Sequence, residues 1–241
     1  MFEFLDLTDL SSTSGPATIK ALCKRASDPA GDGSVPACAG VCVYAHHLPL
    51  VVSQLAGKAP KSVVVAGGFP HGLSSPLSKT REIEDCVAAG AEEIDIVFNR
   101  ANFLSGQETA ALTDLKLQRE AAGDAYLKII LEICELGDSE TIRRASELAL
   151  QAGADFLKTS TGKSTSGASL SGSRPMLEAI RDHAQKTGQA VGFKAAGGVR
   201  TREEGQAYLD LVNEILGEKW MNADRFRLGA SSLLQSLLDS R

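Results

Sequence analysis

The stretch Ala152–Lys163, AGADFLKTSTGK, decides how the chain is read. Within twelve residues it passes from a helix end, through an apolar strand, into a polar loop. Ala152-Gly153-Ala154 has the form of a helix C-cap turning into a strand. Asp155–Thr159 is a strand-like run, and Thr159–Lys163 is a turn rich in Ser, Thr and Gly. Lys158 stands where the strand opens into that turn. A second stretch, Ala190–Arg200, AVGFKAAGGVR, repeats the layout around Lys194. In a parallel α/β protein such strands are covered on both faces. An ammonium there is costly unless it is paired, deprotonated or exposed at the strand's end. Two such lysines, each followed by a loop suited to phosphate, point to an amine nucleophile beside a second cation that lowers its pKa.

On either side of these stretches, and including them, strand-like runs recur at Phe2–Asp6, Gly40–Tyr44, Ser62–Ala66, Glu93–Phe98, Tyr126–Glu132, Asp155–Thr159, Ala190–Ala195 and Arg225–Gly229. Stretches of helical length separate them, as a βα repeat requires. Ser139–Ala152 is the clearest helix. Ile142, Ala145, Leu148, Ala149 and Ala152 share one face, with Arg143, Arg144 and Glu147 elsewhere. The longest irregular stretch, Ser27–Ala37, reads as a loop, and no Pro- or Ser-rich linker divides the chain. The expectation is α/β, a single (β/α)₈ TIM barrel over residues 1–241, close to the usual size for that fold. An open doubly wound sheet is the competing layout. It is disfavoured because the first βα turn lacks G-x-G-x-x-G and the functional-looking residues spread over many strand ends.

Side chains alternate along a strand. Asp95 and Lys128 therefore sit on faces opposite their apolar neighbours Ile94 and Ile96, and Leu127 and Ile129. With the apolar faces turned to the helices, Asp95, Lys128, Lys158 and Lys194 converge on the barrel interior. This reads as three cations around one acid, a mostly positive cluster that favours a neutral lysine. A buried ion-pair network serving only the barrel's stability is the alternative, strongest for Asp95 and Lys128. Cys42 points inward by the same alternation and reads first as a small core residue.

Three loops suit an anion. Gly162 and Lys163 follow the first lysine, Gly197 and Gly198 follow the second, and Ser231 and Ser232 precede a final apolar helical run. Barrels often place phosphate at the loops after strands seven and eight. Ser231 also reads as a plain N-cap. Together the loops favour a phosphorylated small molecule.

The net charge is −5, and no basic stripe alternates with aromatics, so nucleic acid is not an expected partner. Five scattered cysteines read as reduced thiols. The four histidines have no metal-ligand spacing, so no metal is expected, and a lysine that serves as its own electron sink needs no organic cofactor. The N-terminus lacks a basic segment before its apolar residues, and no apolar run reaches membrane-spanning length. A cytoplasmic protein with no membrane association is expected.

The segments EIDIVFN, YLKIILE, GADFLKTSTGK, VGFKAAGGVR and FRLGASSLL, in this order, resemble the deoxyribose-phosphate aldolase family over nearly the whole chain. The resemblance implies a metal-independent barrel that reversibly cleaves 2-deoxy-D-ribose 5-phosphate to D-glyceraldehyde 3-phosphate and acetaldehyde. By motif it makes Lys158 the Schiff-base lysine, Lys194 the neighbouring cation and Asp95 the acid/base partner. Phosphate contacts fall on Gly162, Lys163, Gly197, Gly198, Ser231 and Ser232, and Asp6, Thr8, Cys42 and Lys128 match supporting positions. A homodimer is implied. Some members end in a tyrosine that assists proton transfer, and the LLDSR at the end of this sequence carries no such residue over. A transaldolase-like Schiff-base enzyme and a non-catalytic sugar-phosphate sensor are the rival readings.

Overall fold

Parallel strands need long crossovers, and each strand run here is followed by enough chain to supply one. The computed structural model describes residues 1–241 and closes eight such units into a barrel. The strands are β1 Leu5–Thr8, β2 Gly40–Tyr44, β3 Lys61–Val65, β4 Glu93–Val97, β5 Tyr126–Ile130, β6 Phe156–Lys158, β7 Gly192–Ala196 and β8 Phe226–Ala230. All pair in parallel with their sequence neighbours, and β8 returns to pair with β1. The helices are α1 Pro16–Ser27, α2 Leu48–Leu55, α3 Pro76–Ala88, α4 Arg100–Leu104, α5 Glu108–Ala122, α6 Ser139–Gln151, α7 Leu170–Thr187, α8 Arg202–Leu216 and α9 Leu233–Asp239. The closed parallel barrel excludes the open sheet.

Local sequence accounts for the helix starts. Asp138 caps α6 by accepting the Thr141 N–H, and Thr201 with Glu204 forms a reciprocal capping box on α8. On α6, Ile142, Ala145 and Ala149 are buried while Arg144 and Glu147 stay exposed. The two Ala-Gly-Ala segments turn as expected, with Gly90 and Gly153 at φ 94° and 90° directly after α3 and α6. The main core lies between strands and helices. It contains Ile94, Ile96, Leu127, Ile129, Leu157 and Phe193, the outward-facing residues of the central strands. That leaves the inner faces free to carry polar groups.

Every strand but β2 shifts from expectation at one or both ends, by one to three residues, and the shifts of β1 and β5 have a structural cause. Phe2–Phe4 forms a 3-10 turn, and β1 begins only at Leu5. The Phe4 ring packs edge-on to Phe226 with centroids 5.5 Å apart, so the apolar character of this segment serves packing at the barrel's end. β5 stops at Ile130, two residues before Glu132. Glu132 adopts a left-handed backbone with φ 55°, which carries its carboxylate beneath the loop after β6.

Candidate active site

Register brings the charged side chains together. Asp95 on β4 pairs with Lys128 on β5, Lys158 on β6 pairs with Lys194 on β7, and Lys194 pairs with Arg227 on β8. Asp95 accepts from Lys158 at 2.6 Å and Lys194 at 2.8 Å through one oxygen, and from Lys128 at 3.0 Å through the other. Lys194 also donates to Asp6 on β1. The expected cluster of three cations and one acid is therefore incomplete. Arg227 donates to the second Asp6 oxygen at 2.7 Å and embraces Glu93 at 2.8 and 3.1 Å, while Lys128 reaches Glu93 at 2.5 Å. Four cations face three carboxylates, all buried.

Space for these groups is made by small residues. A methyl on Gly229 would lie 3.0 Å from Lys194 Cε and 2.9 Å from Ala196 Cβ. A methyl on Gly192 would lie 2.4 Å from the Phe156 ring. Phe156 forms an aromatic wall for the cations, with Lys128 and Arg227 5.9 and 5.6 Å from its centroid.

The two lysines are electrostatically distinct. Burial pulls the Lys158 ammonium below its ordinary pKa; Asp95 opposes this and Lys194 adds to it. Burial acts on Lys194 in the same sense, but Asp6 and then Asp95 outweigh it and hold that amine protonated well above the ordinary range. Burial would raise the Asp95 carboxyl, yet Lys128, Lys158 and Lys194 together hold it well below the usual carboxylate range. The Cys42 thiol, sealed in the same interior, is pushed up mainly by burial.

Above the cluster, at the C-terminal ends of the strands, lies a cavity of about 270 Å³. Lys158 opens into it, whereas Lys194 and Asp95 lie fully buried beneath. Gly162, Lys163, Gly197, Gly198, Ser231, Ser232 and Thr8 all line this cavity. Asp6, Lys128 and Cys42 are buried below it. Gly162, Gly197 and Gly198 have φ of 75°, 79° and 92°, which favours glycine. Glu132 accepts from the backbone and hydroxyl of Thr161 and so fixes the loop after β6. Lys163 reaches across the mouth and donates to the Leu10 carbonyl at 2.6 Å. Ser232, not Ser231, occupies the N-cap position of α9, and it makes no side-chain capping bond.

Sequence reasoning missed Glu93 and Arg227 in the interior, and it left Arg200 out of the mouth, where the residue lines the cavity. Glu93 stands two residues before Asp95 on the same strand face, so alternation already held its signal. Arg227 offered the same signal as a lone charge between Phe226 and Leu228.

The arrangement supplies a buried, deprotonatable amine at the floor of a polar pocket, with a carboxylate in contact with it and a fixed cation on the same carboxylate oxygen. A Schiff-base enzyme needs this combination. Comparison with known proteins agrees. The mouse deoxyribose-phosphate aldolase is 42% identical over 245 residues, covering 97% of this chain and 77% of the mouse protein. The human deoxyribose-phosphate aldolase is 40% identical with the same coverage. A solved Coccidioides immitis structure superposes with a TM-score of 0.81 at 28% identity, covering 98% of this chain and 85% of that one. The family model described as DeoC/LacD family aldolase matches residues 5–235. The chain belongs to this family of aldolases.

Proposed function

We propose that the protein is a Schiff-base aldolase that reversibly cleaves 2-deoxy-D-ribose 5-phosphate to D-glyceraldehyde 3-phosphate and acetaldehyde, with Lys158 as the nucleophile. The observation that carries the reading is the pairing of unequal lysines. Lys158 opens into the cavity with its pKa lowered, and Lys194, 2.8 Å from the shared Asp95 oxygen, stays protonated. Membership of the aldolase family and the names of the mouse and human relatives support the same reaction.

The neutral Lys158 amine attacks the C1 aldehyde carbon of the open-chain sugar phosphate. Loss of water from the carbinolamine gives a protonated imine, which serves as an electron sink. A proton leaves the C3 hydroxyl, the C2–C3 bond breaks, and glyceraldehyde 3-phosphate departs. The bonding pair remains on the nitrogen-bound fragment as an enamine. Protonation at C2 and hydrolysis then release acetaldehyde and restore the amine. Asp95 and Lys194, both in contact with each other and with the nucleophile's surroundings, handle these protons. Lys194 also favours the neutral amine by its charge. The reaction as written uses only the lysine as electron sink.

The phosphate lies at the opposite end of the cavity, against Gly162, Gly197, Gly198, Ser231 and Ser232, with Lys163 and Arg200 supplying positive charge. Thr8, Asp6, Lys128 and Cys42 support the floor. A second copy of the chain is the expected partner by the base rate for soluble enzymes, testable by sedimentation. No helix is long and apolar enough to cross a membrane.

Borohydride reduction in the presence of deoxyribose 5-phosphate, followed by peptide mapping, tests the proposal. A reduced adduct on Lys158 is expected. Substrate binding without any adduct would favour a sensor, and an adduct on Lys194 would reverse the roles of the two lysines.

A further inference from the structure

The buried charges form a closed ring of alternating sign. Followed around, it runs Asp95, Lys128, Glu93, Arg227, Asp6, Lys194 and back to Asp95. Each of its six members touches an opposite charge on both sides. Lys158 hangs outside the ring, bonded to Asp95 alone, through the oxygen that also serves Lys194. The ring is neutral when every member is ionised, so the one surplus positive charge of the interior falls on Lys158.

We propose that Arg227 and Glu93, which line no part of the substrate cavity, are positioning residues that close this ring and leave Lys158 as the one cation without a carboxylate of its own. Arg227 suits the place. Its planar fork spans Asp6 and Glu93 together, its Nε donates to the Ala223 carbonyl, and it is 3% exposed. Without it, Asp6 would have only Lys194 at close range and Lys128 at 3.8 Å. The interior would then hold as many carboxylates as ammoniums, and Lys158 would no longer be surplus. Without the charge of Glu93 the excess would grow, and Lys158 would be the group placed to shed it.

Other groups facing Lys158 do not supply this balance. Cys42 on β2 has its thiol pushed up by burial, and β3 offers only Val63 and Val65 beside it. Beyond the strand ends, Lys163 is engaged with the Leu10 carbonyl and Glu132 with Thr161. Asp6, Glu93, Asp95, Lys128, Lys194 and Arg227 make up the remaining charged surroundings.

The inference rests on the aldolase reading, and the test separates the two. Acetaldehyde adduct formation on Lys158, trapped with borohydride and mapped by mass, is followed against pH in the wild type, Arg227→Gln, Arg227→Lys and Glu93→Gln. The acid limb of the wild-type profile reports Lys158. Arg227→Gln should move that limb up by about one pH unit or more, Glu93→Gln should move it down, and Arg227→Lys should return it toward the wild type. Opposite shifts are the decisive result, because loss of packing alone has no reason to change sign. Unmoved limbs, or shifts in one direction for both neutral variants, would overturn the inference. If Glu93→Gln fails to fold, Arg227→Gln must shift the limb up and Arg227→Lys must return it toward the wild type; if Arg227→Gln fails to fold, Glu93→Gln must shift the limb down and Arg227→Lys must hold it near the wild type; failure of either condition overturns the inference. Absence of an adduct on wild-type Lys158 would instead remove the aldolase reading itself.

Discussion

Lys158 and Lys194 are the same residue type on adjacent strands, two registered partners in one wall, yet they carry opposite perturbations. The difference lies in the number of carboxylates each touches. Lys194 has Asp6 and Asp95, whereas Lys158 has only a share of Asp95. In the proposed mechanism the Lys158 amine must be neutral, so kcat/KM should rise with pH through an apparent pKa below the ordinary lysine value of about 10.4. Replacing Lys194 by Leu removes a repelling charge and frees Asp95 for Lys158. The rising limb should move to higher pH and kcat at neutral pH should fall by about 10²-fold or more, read from initial rates across pH. An unchanged profile would break the coupling between the two amines. Much of this interior was legible before the fold was known, because a single charge inside an apolar strand is costly and therefore conspicuous. Asp95, Lys128, Lys158 and Lys194 stood out for that reason. Glu93 escaped because it begins its strand and looks like a boundary residue. Arg227 lay in a strand whose glycine, with the serines that follow it, drew attention to phosphate instead.

At the level of elements, the loop after β6 is held from below by Glu132, whose left-handed backbone aims a carboxylate at Thr161. Strain of this kind persists where surrounding contacts enforce it. Replacing Glu132 by Gln weakens the hold on the loop that carries Gly162 and Lys163. KM for deoxyribose 5-phosphate should rise several-fold, while the trapping rate with acetaldehyde, which has no phosphate, should stay near the wild-type value. Equal losses with both substrates would place the effect on the amine instead. The Gly192→Ala change drives a methyl to within 2.4 Å of the Phe156 ring. It should cost about 1–3 kcal/mol in urea unfolding, as overpacking of a filled core does. Strand and helix periods located these elements well, and the βα repeat fixed their order. Their ends were less legible. The apolar Phe2–Phe4 segment imitates a strand although it packs as a turn, and nothing local to Glu132 announces a left-handed residue.

Across the whole molecule the buried ion pairs make stability depend on pH at both extremes. Asp6 and Asp95 have folded pKa values depressed below the ordinary range, by Lys194 and Lys128 respectively against the opposing effect of burial. Their contribution is present above the unfolded carboxylate pKa of about 4 and is lost as pH falls through the folded values. Lys128 and Lys194 are raised, because Asp95 and Asp6 respectively outweigh burial, so their contribution is full below about pH 10.4 and fades as pH rises through the folded values. Lys158 acts in the other sense. Its lowered folded pKa means that stability gains with rising pH until the unfolded lysine also loses its proton. Urea titrations from about pH 3 to pH 11 should therefore show a broad plateau with a steep loss below about pH 4. A steep loss already at pH 6 would contradict this.

The ring of charges also has a consequence for how the chain is made. Its members come from positions 6, 93, 95, 128, 194 and 227, so the first and last of them emerge from the ribosome more than 200 residues apart. Until Arg227 appears, a nascent chain can bring together Asp6, Glu93 and the lysines only as an open arc. β1 also lacks its β8 partner at that stage. Helical segments can form as they are synthesised, but the last wall of the barrel and the last link of the ring arrive together. Maturation of the proposed nucleophile therefore waits for nearly the whole polypeptide, and a truncated product ending before β8 would hold Lys158 without the ring that sets its charge.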